Sequence, residues 1–186
     1  MHLLGGRFLR AYYRVLLRDS QSVVVCTVDD SDPAEILGFA SGTLDAGQSN
    51  DALRRGRFSL GFAAILAVLC RPWLLGRLIS RYRSLSPSNR TGQYLVSSGP
   101  RGTYWAVLPE ARKGGLAFKL LQKWLNVMRE LTAQAIQFEV DKAHASMERA
   151  HICLGARVVK ELVTPDGKAR LIMEYPGQAT DRGGRT

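Results

Sequence analysis

The chain has 186 residues, which is long enough to bury the core of one domain, and we expect that domain over residues 1–175 with a flexible tail over 176–186. Its 46% hydrophobic and 23% charged residues are typical of a globular protein and exclude a disordered or fibrous chain. The formal charge of +10, from 26 basic and 16 acidic residues, favours polyanionic ligands such as a phosphorylated small molecule, an acidic protein, nucleic acid or an anionic membrane. A surface that is basic only for solubility is the alternative.

Three cysteines, Cys26, Cys70 and Cys153, are far apart in the sequence, form no Cys-x-x-Cys pair and fall within apolar patterns. This usage predicts reduced cysteines in the core rather than disulfides. Residues 1–4 begin no apolar stretch that ends in a cleavage site, so no signal peptide is predicted. Together the two observations favour a cytoplasmic protein.

The N-terminal part of the sequence predicts a helix followed by a hairpin. Apolar residues at steps of three and four predict an amphipathic helix over Arg7–Arg18. The β-branched run Ser22–Val28 predicts a strand, and a turn at Pro33 leads to its partner strand over Glu35–Leu44. A polar loop is predicted over Asp45–Asn50.

An unusually apolar stretch, Phe58–Cys70, follows and forms part of an extra helical segment predicted at about 52–84. Arg57 and Arg71 bracket the stretch. A membrane-spanning helix needs about 20 apolar residues, and this stretch is shorter. Three interpretations stay open: a helix buried in the core, a helix that docks on a membrane surface, and a helix that lines a pocket for an acyl chain.

The second half alternates strands and helices after a loop predicted over Ser84–Gly102. A strand, a helix and a second strand form a β-α-β unit with parallel neighbouring strands, and a helix and a terminal hairpin follow. The predicted strands are Thr103–Leu108, Ala135–Val140, Ala156–Val163 and Lys168–Tyr175, and the predicted helices run from Leu116 to about Ala133 and from Asp141 to Leu154. The Pro-Asp-Gly sequence within Thr164–Gly167 is a strong signal for the turn of the hairpin.

The stretch Val107–Ala117 joins the first strand of this unit to its helix and contains two adjacent glycines, Gly114 and Gly115. Pro109 ends the strand because proline cannot donate a backbone hydrogen bond. The amides of Arg112–Ala117 then lie at a helix start, where free N–H groups and the positive end of the helix dipole favour an anion. The stretch therefore predicts a phosphate-binding turn, with an ordinary glycine-rich connection as the alternative.

This turn resembles the diphosphate-binding signature of the GCN5-related N-acetyltransferase (GNAT) family, Arg/Gln-x-x-Gly-x-Gly/Ala, which Arg112, Gly115 and Ala117 fill. The resemblance covers residues 7–175 through the order of strands and helices, although the family's usual first strand is missing. It implies an α/β fold with a mixed, mostly antiparallel central sheet, a β-α-β core that binds acyl-coenzyme A (acyl-CoA), and flanking helices. The residues implied in coenzyme binding are Ala106, Val107, Arg112, Lys113, Gly114, Gly115, Leu116 and Ala117.

The same resemblance, counted back from Gly155, puts His144 at the family's asparagine position and His151 at its tyrosine position. In the family that tyrosine often protonates the departing thiolate, so His151 takes this role, another group does, or the thiolate leaves unaided. The spacing of seven residues predicts that both histidines face the same way on one helix, and an imidazole pKa of about 6.5 suits proton transfer. Packing or capping of the helix is the alternative. No metal site is predicted, since Cys153 would lie opposite His151.

The activity implied by the resemblance is transfer of an acyl group, with acetyl expected, from acetyl-CoA or another acyl-CoA to the primary amine of a small molecule. The amine, for example of an amino sugar, amino acid or polyamine, would attack the thioester directly, and the Val107 N–H is the expected donor to the oxyanion. Tyr104, Glu110 and Glu139 lie near the expected site, but the sequence identifies no base. Two alternatives stay open: a longer acyl chain, and an acyl-CoA-binding module without catalysis.

The expected partners follow from the charge and the apolar segment. Besides the amine acceptor, they are an acidic acyl carrier protein, a membrane surface in contact with the apolar segment, and a second copy of the chain in a homodimer. No nucleic-acid partner is expected, because no recognition motif accompanies the arginines. No metal cofactor is expected either.

Overall fold

The computed structural model describes residues 5–70, 96, 98–163 and 167–178. Three predicted features lie wholly or mostly outside these residues: the second half of the apolar segment over 71–84, the Pro-Asp-Gly turn except for Gly167, and the tail beyond Gln178. The loop predicted over Ser84–Gly102 is described only at Val96 and from Ser98 onward.

The described elements follow the predicted order. They are helix α1 (Gly5–Leu16), strands β1 (Ser22–Val28) and β2 (Ile36–Thr43), helices α2 (Ala46–Arg55) and α3 (Arg57–Cys70), strand β3 (Arg101–Val107), helix α4 (Leu116–Leu131), strand β4 (Ile136–Asp141), helix α5 (Ala145–Cys153), and strands β5 (Arg157–Val163) and β6 (Ala169–Tyr175). A 3₁₀ helix over Pro109–Gly115 connects β3 to α4. All six predicted strands are confirmed to within two residues at each end.

Helix α2 occupies the stretch predicted as a polar loop, so that prediction is wrong. Asp45 has extended backbone angles, and its carboxylate accepts hydrogen bonds from the amides of Gly47, at 2.7 Å, and Gln48, at 3.3 Å. An aspartate here satisfies amides that otherwise lack a partner at the start of a helix. The polar composition that suggested a loop therefore belongs to a capped helix.

The six described strands form one sheet in the order β1-β2-β3-β4-β6-β5. Among them, β3 and β4 are parallel neighbours, and the four other pairs are antiparallel. Helix α4 is the crossover between the two parallel strands, as expected for a β-α-β unit. The prediction of a mixed, mostly antiparallel sheet with flanking helices is confirmed.

Strands β3 and β4 separate soon after they begin. Their register contains a single pair, Arg101 with Gln137, next to which the Gln137 amide donates to the carbonyl of Pro100 at 3.1 Å. By contrast, β3 pairs with β2 through six residues, and β4 pairs with β6 through six. The two strands therefore enclose a wedge between Thr103–Val107 and Phe138–Asp141, which we call the sheet gap.

Helix α4 packs on one face of the sheet, here called the α4 face. Its buried side chains are Leu120, Leu121, Trp124, Leu125 and Met128. Gly42 of β2 and Gly102 of β3 lie directly beneath Trp124, so the helix approaches the strands closely. Burial of these apolar side chains forms the main core and stabilises the sheet.

Helix α1 packs on the opposite face, here called the α1 face, through two tyrosines. The ring centroids of Tyr13 and Phe39 are 5.6 Å apart, and those of Tyr12 and Tyr104 are 6.1 Å apart, both in edge-to-face geometry. The predicted amphipathic helix is therefore confirmed, and its packing covers β2 and β3 on the side away from α4.

Helix α3 exposes an apolar stripe. The exposed fractions are 78% for Phe58, 65% for Phe62 and 59% for Ile65, and these residues lie on one side of the helix. Leu60 and Ala64 are partly buried, and the helix contacts α1. For the side chains that the structure describes, the interpretation as a wholly buried helix is wrong on the outer side, since α3 packs against α1 and α2 with its other side. Within the described residues, no helix is both long and apolar enough to cross a membrane.

The prediction for the cysteines is wrong in part. Cys26 and Cys153 are free, as predicted, but both are exposed rather than in the core. On β1 the side chains of Val23 and Val25 pack against the core, so Cys26, the next residue along, points to the other face.

We predict that Gly42→Ala destabilises the protein. A Cβ at this position would lie 2.6 Å from the carbonyl oxygen of Arg101 and against the indole of Trp124, and neither the strand nor the buried ring can move aside easily. Overpacking of this kind lowers the free energy of unfolding by about 1–3 kcal/mol, which urea denaturation measures.

The matched control is Gly61→Ala in α3, where nothing lies within 4 Å of the added Cβ. Alanine in an exposed helix should raise the free energy of unfolding by about 0.5–1 kcal/mol. Equal effects of the two substitutions would contradict the close packing of α4 on the sheet.

Candidate active site

The connection from β3 to α4 forms an open, glycine-lined turn. Gly114 and Gly115 have positive φ angles of 71° and 73°, a conformation that other residues rarely adopt. Gly115 precedes α4 and provides no side-chain cap, and nothing lies within 4 Å of a Cβ added at either glycine. We call Gly114–Ala117 the glycine turn. Its backbone amides at the start of α4 suit an anion approaching from solvent.

The Arg112 side chain forms a hydrogen bond to the end of β3, close to the glycine turn. Its Nε donates a hydrogen bond of 3.2 Å to the carbonyl of Val107, while the residue as a whole is exposed. The guanidinium therefore adds positive charge beside the turn and next to the mouth of the sheet gap. Lys113, also predicted in the site, lies in the 3₁₀ helix between them.

The edge of β3 that faces the gap presents backbone groups. The Leu108 amide donates to the carbonyl of Leu37 on β2 at 2.8 Å, so the amides of Val107 and Trp105 point the other way, toward β4. In the described register β4 has no residue paired with either of them. Ala106, between them, is exposed. This edge can therefore hydrogen-bond a ligand that lies in the gap.

His151 belongs to an aromatic cluster on the α4 face of the gap. Its ring centroid is 4.0 Å from that of Phe138 and 5.8 Å from that of Trp105, and its Nδ1 lies 2.7 Å from the hydroxyl of Tyr175. The residue is only 6% exposed. Burial lowers the pKa of His151 to about 4, so the imidazole is neutral near pH 7.

His144 does not share a helix face with His151, and the prediction that it does is wrong. The Asp141 carboxylate accepts from the Ala143 amide at 3.0 Å and forms a turn, so α5 begins only at Ala145. His144 is therefore an exposed residue before the helix, whereas His151 is buried. Helical spacing does not apply between them, and a catalytic role for either stays a prediction.

The α1 face of the gap carries a partly buried carboxylate. Glu139 of β4 has a side chain that is 25% exposed, and the Arg170 guanidinium donates to it at 3.2 Å. Burial raises the pKa of Glu139, against the lowering effect of Arg170 and Arg101. Of the three polar residues predicted near the site, Tyr104 shares this face with Glu139, and Glu110 is exposed in the 3₁₀ helix.

Two residues beside the gap were not predicted from the sequence, because neither belongs to a recognised motif. Trp105 lies against His151 on the α4 face, and Arg101 lies at the closed end of the gap on the α1 face. Strand alternation alone would put them on the same face, since they lie four residues apart and even and odd positions of a strand point to opposite sides. Their places also depend on the β3–β4 register and on a bulge in β2–β3 between Ser41 and Gly42, which the sequence does not reveal.

Metal ligands do not cluster in the described ranges. No group of three or more histidine, cysteine, aspartate or glutamate side chains there could hold a metal ion. Among the described residues, the polar groups beside the gap include backbone amides, the Glu139 carboxylate, the His151 imidazole and the guanidiniums of Arg101, Arg112 and Arg170, which suit binding and proton transfer.

We predict that acid destabilises the protein partly through His151. The unfolded chain takes up a proton as the pH falls below 6.5, while the folded protein does so only near the lowered pKa of about 4. Between pH 7.5 and pH 5 this difference removes about 2 kcal/mol from the free energy of unfolding, measured in urea. His151→Gln should abolish this part of the pH dependence.

The control is His144→Gln, which replaces an exposed histidine in the same segment and should retain the full pH dependence. The prediction is wrong if His151→Gln and His144→Gln lose the same free energy between the two pH values.

Comparison with known proteins identifies the fold. No protein-family model and no curated protein matches the sequence. The Escherichia coli ribosomal-protein-S18-alanine N-acetyltransferase matches in structure with a TM-score of 0.54 and 12% identity, over 96% of this chain and 93% of its own. A Bordetella pertussis protein assigned to the GNAT family of acetyltransferases has a TM-score of 0.52 and 16% identity, over 89% of this chain and 71% of its own.

A third similar structure is that of NAA60 from Arabidopsis thaliana in complex with acetyl-CoA. Its TM-score is 0.51 and its identity 14%, over 88% of this chain and 81% of its own. Identities this low concern the fold, and all three alignments include most of both chains. The chain therefore has the mixed α/β fold of the GCN5-related N-acetyltransferases.

Proposed function

We propose that the protein is an acyl-CoA-dependent N-acyltransferase that transfers acetyl from acetyl-CoA to a primary amine. The observation that carries the proposal is the sheet gap with the glycine turn at its mouth, since the two provide adjacent sites for a thioester and a diphosphate. The likeness to a structure solved with acetyl-CoA supports this choice of donor. We also infer that residues 1–175 act as one domain.

In this proposal the coenzyme binds along β3. The amides of the glycine turn and the Arg112 guanidinium bind the diphosphate, because helix N-termini and arginines both favour phosphate oxygens. The carbonyls of Trp105 and Val107, which point into the gap like their amides, accept hydrogen bonds from the amide groups of the pantetheine arm, as a neighbouring strand would provide. The backbone groups of Ala106 point to β2, so Ala106 offers no backbone hydrogen bond there. The thioester then lies in the gap, next to the cluster of Trp105 and His151.

The reaction we propose is direct attack by the amine. Glu139 acts as the base: it takes a proton from the ammonium, and its raised pKa strengthens it for this task. The amine then forms a C–N bond to the thioester carbon, and the amides of Val107 and Trp105 donate to the oxyanion. Glu139 passes its first proton to solvent and takes the second proton from the attacking nitrogen, and collapse of the tetrahedral intermediate then breaks the C–S bond, releasing the thiolate of coenzyme A and the neutral N-acylated product.

Stabilisation of the departing thiolate is the step for which we propose His151, and the thiolate then takes its proton from solvent. With Tyr175 donating to Nδ1, the neutral ring carries its proton on Nε2 and can hydrogen-bond the departing sulfur. A thiol pKa of about 8.5 makes the thiolate a good leaving group, so a hydrogen bond is sufficient help. His144 is exposed before α5, and we assign it no step.

The aromatic cluster favours a short acyl group. Trp105, Phe138 and His151 occupy the α4 face of the gap, where a longer chain would have to lie. We therefore propose acetyl rather than a long-chain donor, and no described contact favours an acyl carrier protein. The membrane and homodimer predictions remain as stated from the sequence.

We predict that Gly115→Ala weakens acetyl-CoA binding at least about tenfold, measured by isothermal titration calorimetry. The positive φ of 73° disfavours alanine by about 1–2 kcal/mol, and the new methyl group would project into the open space where the diphosphate approaches.

The matched control is Gly167→Ala in the β5–β6 turn, which has a φ of 77° and equally open surroundings. It imposes the same backbone strain away from the glycine turn, so its dissociation constant for acetyl-CoA should equal that of the wild type. Equal weakening by both variants would assign the effect to stability and count against the coenzyme site.

We predict that Glu139→Gln lowers kcat/KM for acetyl transfer by about 10²- to 10⁴-fold, because the amide cannot accept the ammonium proton. The measurement is release of free coenzyme A with a panel of primary amines, and the affinity for acetyl-CoA should change less than about twofold. Glu161→Gln is the control, since Glu161 is an exposed carboxylate paired with Lys142 at 2.6 Å.

The competing hypothesis of a non-catalytic acyl-CoA-binding module has a distinct signature in the same experiment. It requires that acetyl-CoA binds to the wild type while no amine in the panel releases coenzyme A. Absence of acetyl-CoA binding would reject both hypotheses.

A further inference from the structure

We propose that the amine acceptor carries an anionic group, a carboxylate or a phosphate, near its amino group, and that Arg101 binds this group on the α1 face of the sheet gap. The inference rests on the proposed function and identifies the substrate class. It selects amino acids and aminoalkyl phosphates over polyamines and neutral amines.

Arg101 is held by two hydrogen bonds and has no direct ion pair within the described residues. Its Nη1 donates to the carbonyl of Val96 at 3.2 Å, and its Nη2 donates to the side-chain oxygen of Asn50 at 3.4 Å. Both acceptors are neutral, and in the described part of the chain Arg101 forms no ion pair. Its buried Nε has no hydrogen-bond partner there either. Within the described residues the guanidinium is therefore oriented by neutral acceptors, and the carboxylate that its charge acts on, Glu139, is hydrogen-bonded to Arg170 instead.

Such a group is unusual for a purely structural arginine. A partly buried cation loses some of its hydration, and proteins ordinarily compensate this with a carboxylate. A planar guanidinium held in place also binds carboxylate and phosphate oxygens with good geometry. The simplest compensation for Arg101 is an anion supplied by the substrate.

The position of Arg101 relates this anion site to the proposed base. Arg101 pairs with Gln137, two residues before Glu139 on the same face of β4, and its positive charge acts on the Glu139 carboxylate. The charge of Arg101 also acts on the hydroxyl of Tyr12, which lies 3.4 Å from the hydroxyl of Tyr104. A substrate that places its ammonium at Glu139 can thus place an anion a few bonds away at Arg101.

The charges around Glu139 also exclude another class of acceptor. Arg170 donates to Glu139 at 3.2 Å, so the carboxylate lies between two guanidiniums. Two arginines and one glutamate leave the face net positive, which repels a second ammonium group. A polyamine gains nothing at Arg101, whereas an amino acid or an aminoalkyl phosphate cancels the excess charge.

The test compares amines that differ only in the anion. L-alanine is paired with L-alaninamide, 2-aminoethyl phosphate with 2-aminoethanol, and putrescine represents polyamines. With acetyl-CoA saturating, the wild type should show at least tenfold higher kcat/KM for the anionic member of one pair. The preferred pair distinguishes a carboxylate from a phosphate substrate.

Arg101→Gln should remove the preference by raising KM for the anionic amine at least tenfold, with little change for its neutral counterpart. Arg101→Lys, which retains the charge, should keep part of the preference and also shows whether the site tolerates substitution. The control is Arg54→Gln on α2. The Arg54 side chain is 82% exposed, and this variant should behave like the wild type.

Three results would overturn the proposal: equal use of both members in each pair, preference for putrescine, or an equal loss for anionic and neutral amines in Arg101→Gln. If coenzyme A release occurs in these cases, the proposed function stands and only the acceptor class fails. If no amine is acetylated, binding of L-alanine and 2-aminoethyl phosphate to the wild type and to Arg101→Gln is measured by calorimetry. Absence of binding, or equal binding to both proteins, rejects the anion site.

Discussion

The sheet gap arises because β3 and β4 stop exchanging backbone hydrogen bonds after their first pair. In a continuous sheet each strand satisfies its neighbour, and unpaired amides are costly when buried. Here β2 still pairs with β3 and β6 still pairs with β4, so the sheet remains intact on both sides of the gap. The separated strands therefore leave the backbone groups along one edge of β3 available to a ligand.

Beside the gap, the two faces of the sheet carry different kinds of side chains. On the α4 face the glycine turn lies beside the apolar surroundings of Trp105 and His151, which suit a phosphorylated ligand with an uncharged reactive end. On the α1 face Glu139 lies among guanidiniums, where a charged, hydrophilic ligand is favoured. Helix α1 covers β2 and β3 but its tyrosines do not extend over β6, which is why charged side chains such as Arg170 and Glu174 are accommodated there.

Sequence patterns predicted those parts of the structure that depend on neighbouring residues. The β-branched strands and the glycine turn are of this kind, because alternation and positive φ angles are local properties. Helix α2 was missed although its signal, the Asp45 cap, is also local. The position of His144 depended on where α5 begins, which the Asp141 turn decides. Arg101 could not be predicted, since its role depends on Asn50 and Val96, which only the folded chain brings to it.

The glycines beneath α4 have a consequence for the entropy of ligand binding. A Cβ on Gly38 would come within 3.2 Å of the Leu120 side chain, and one on Gly102 within 3.2 Å of Trp124, so the helix lies close to the strand backbone over the turn from Leu120 to Trp124. A helix seated this firmly holds its first amides in place before any ligand arrives. If the glycine turn binds the diphosphate as proposed, binding requires little loss of conformational freedom, and the affinity depends in part on the packing of Leu120 and Trp124, away from the anion itself.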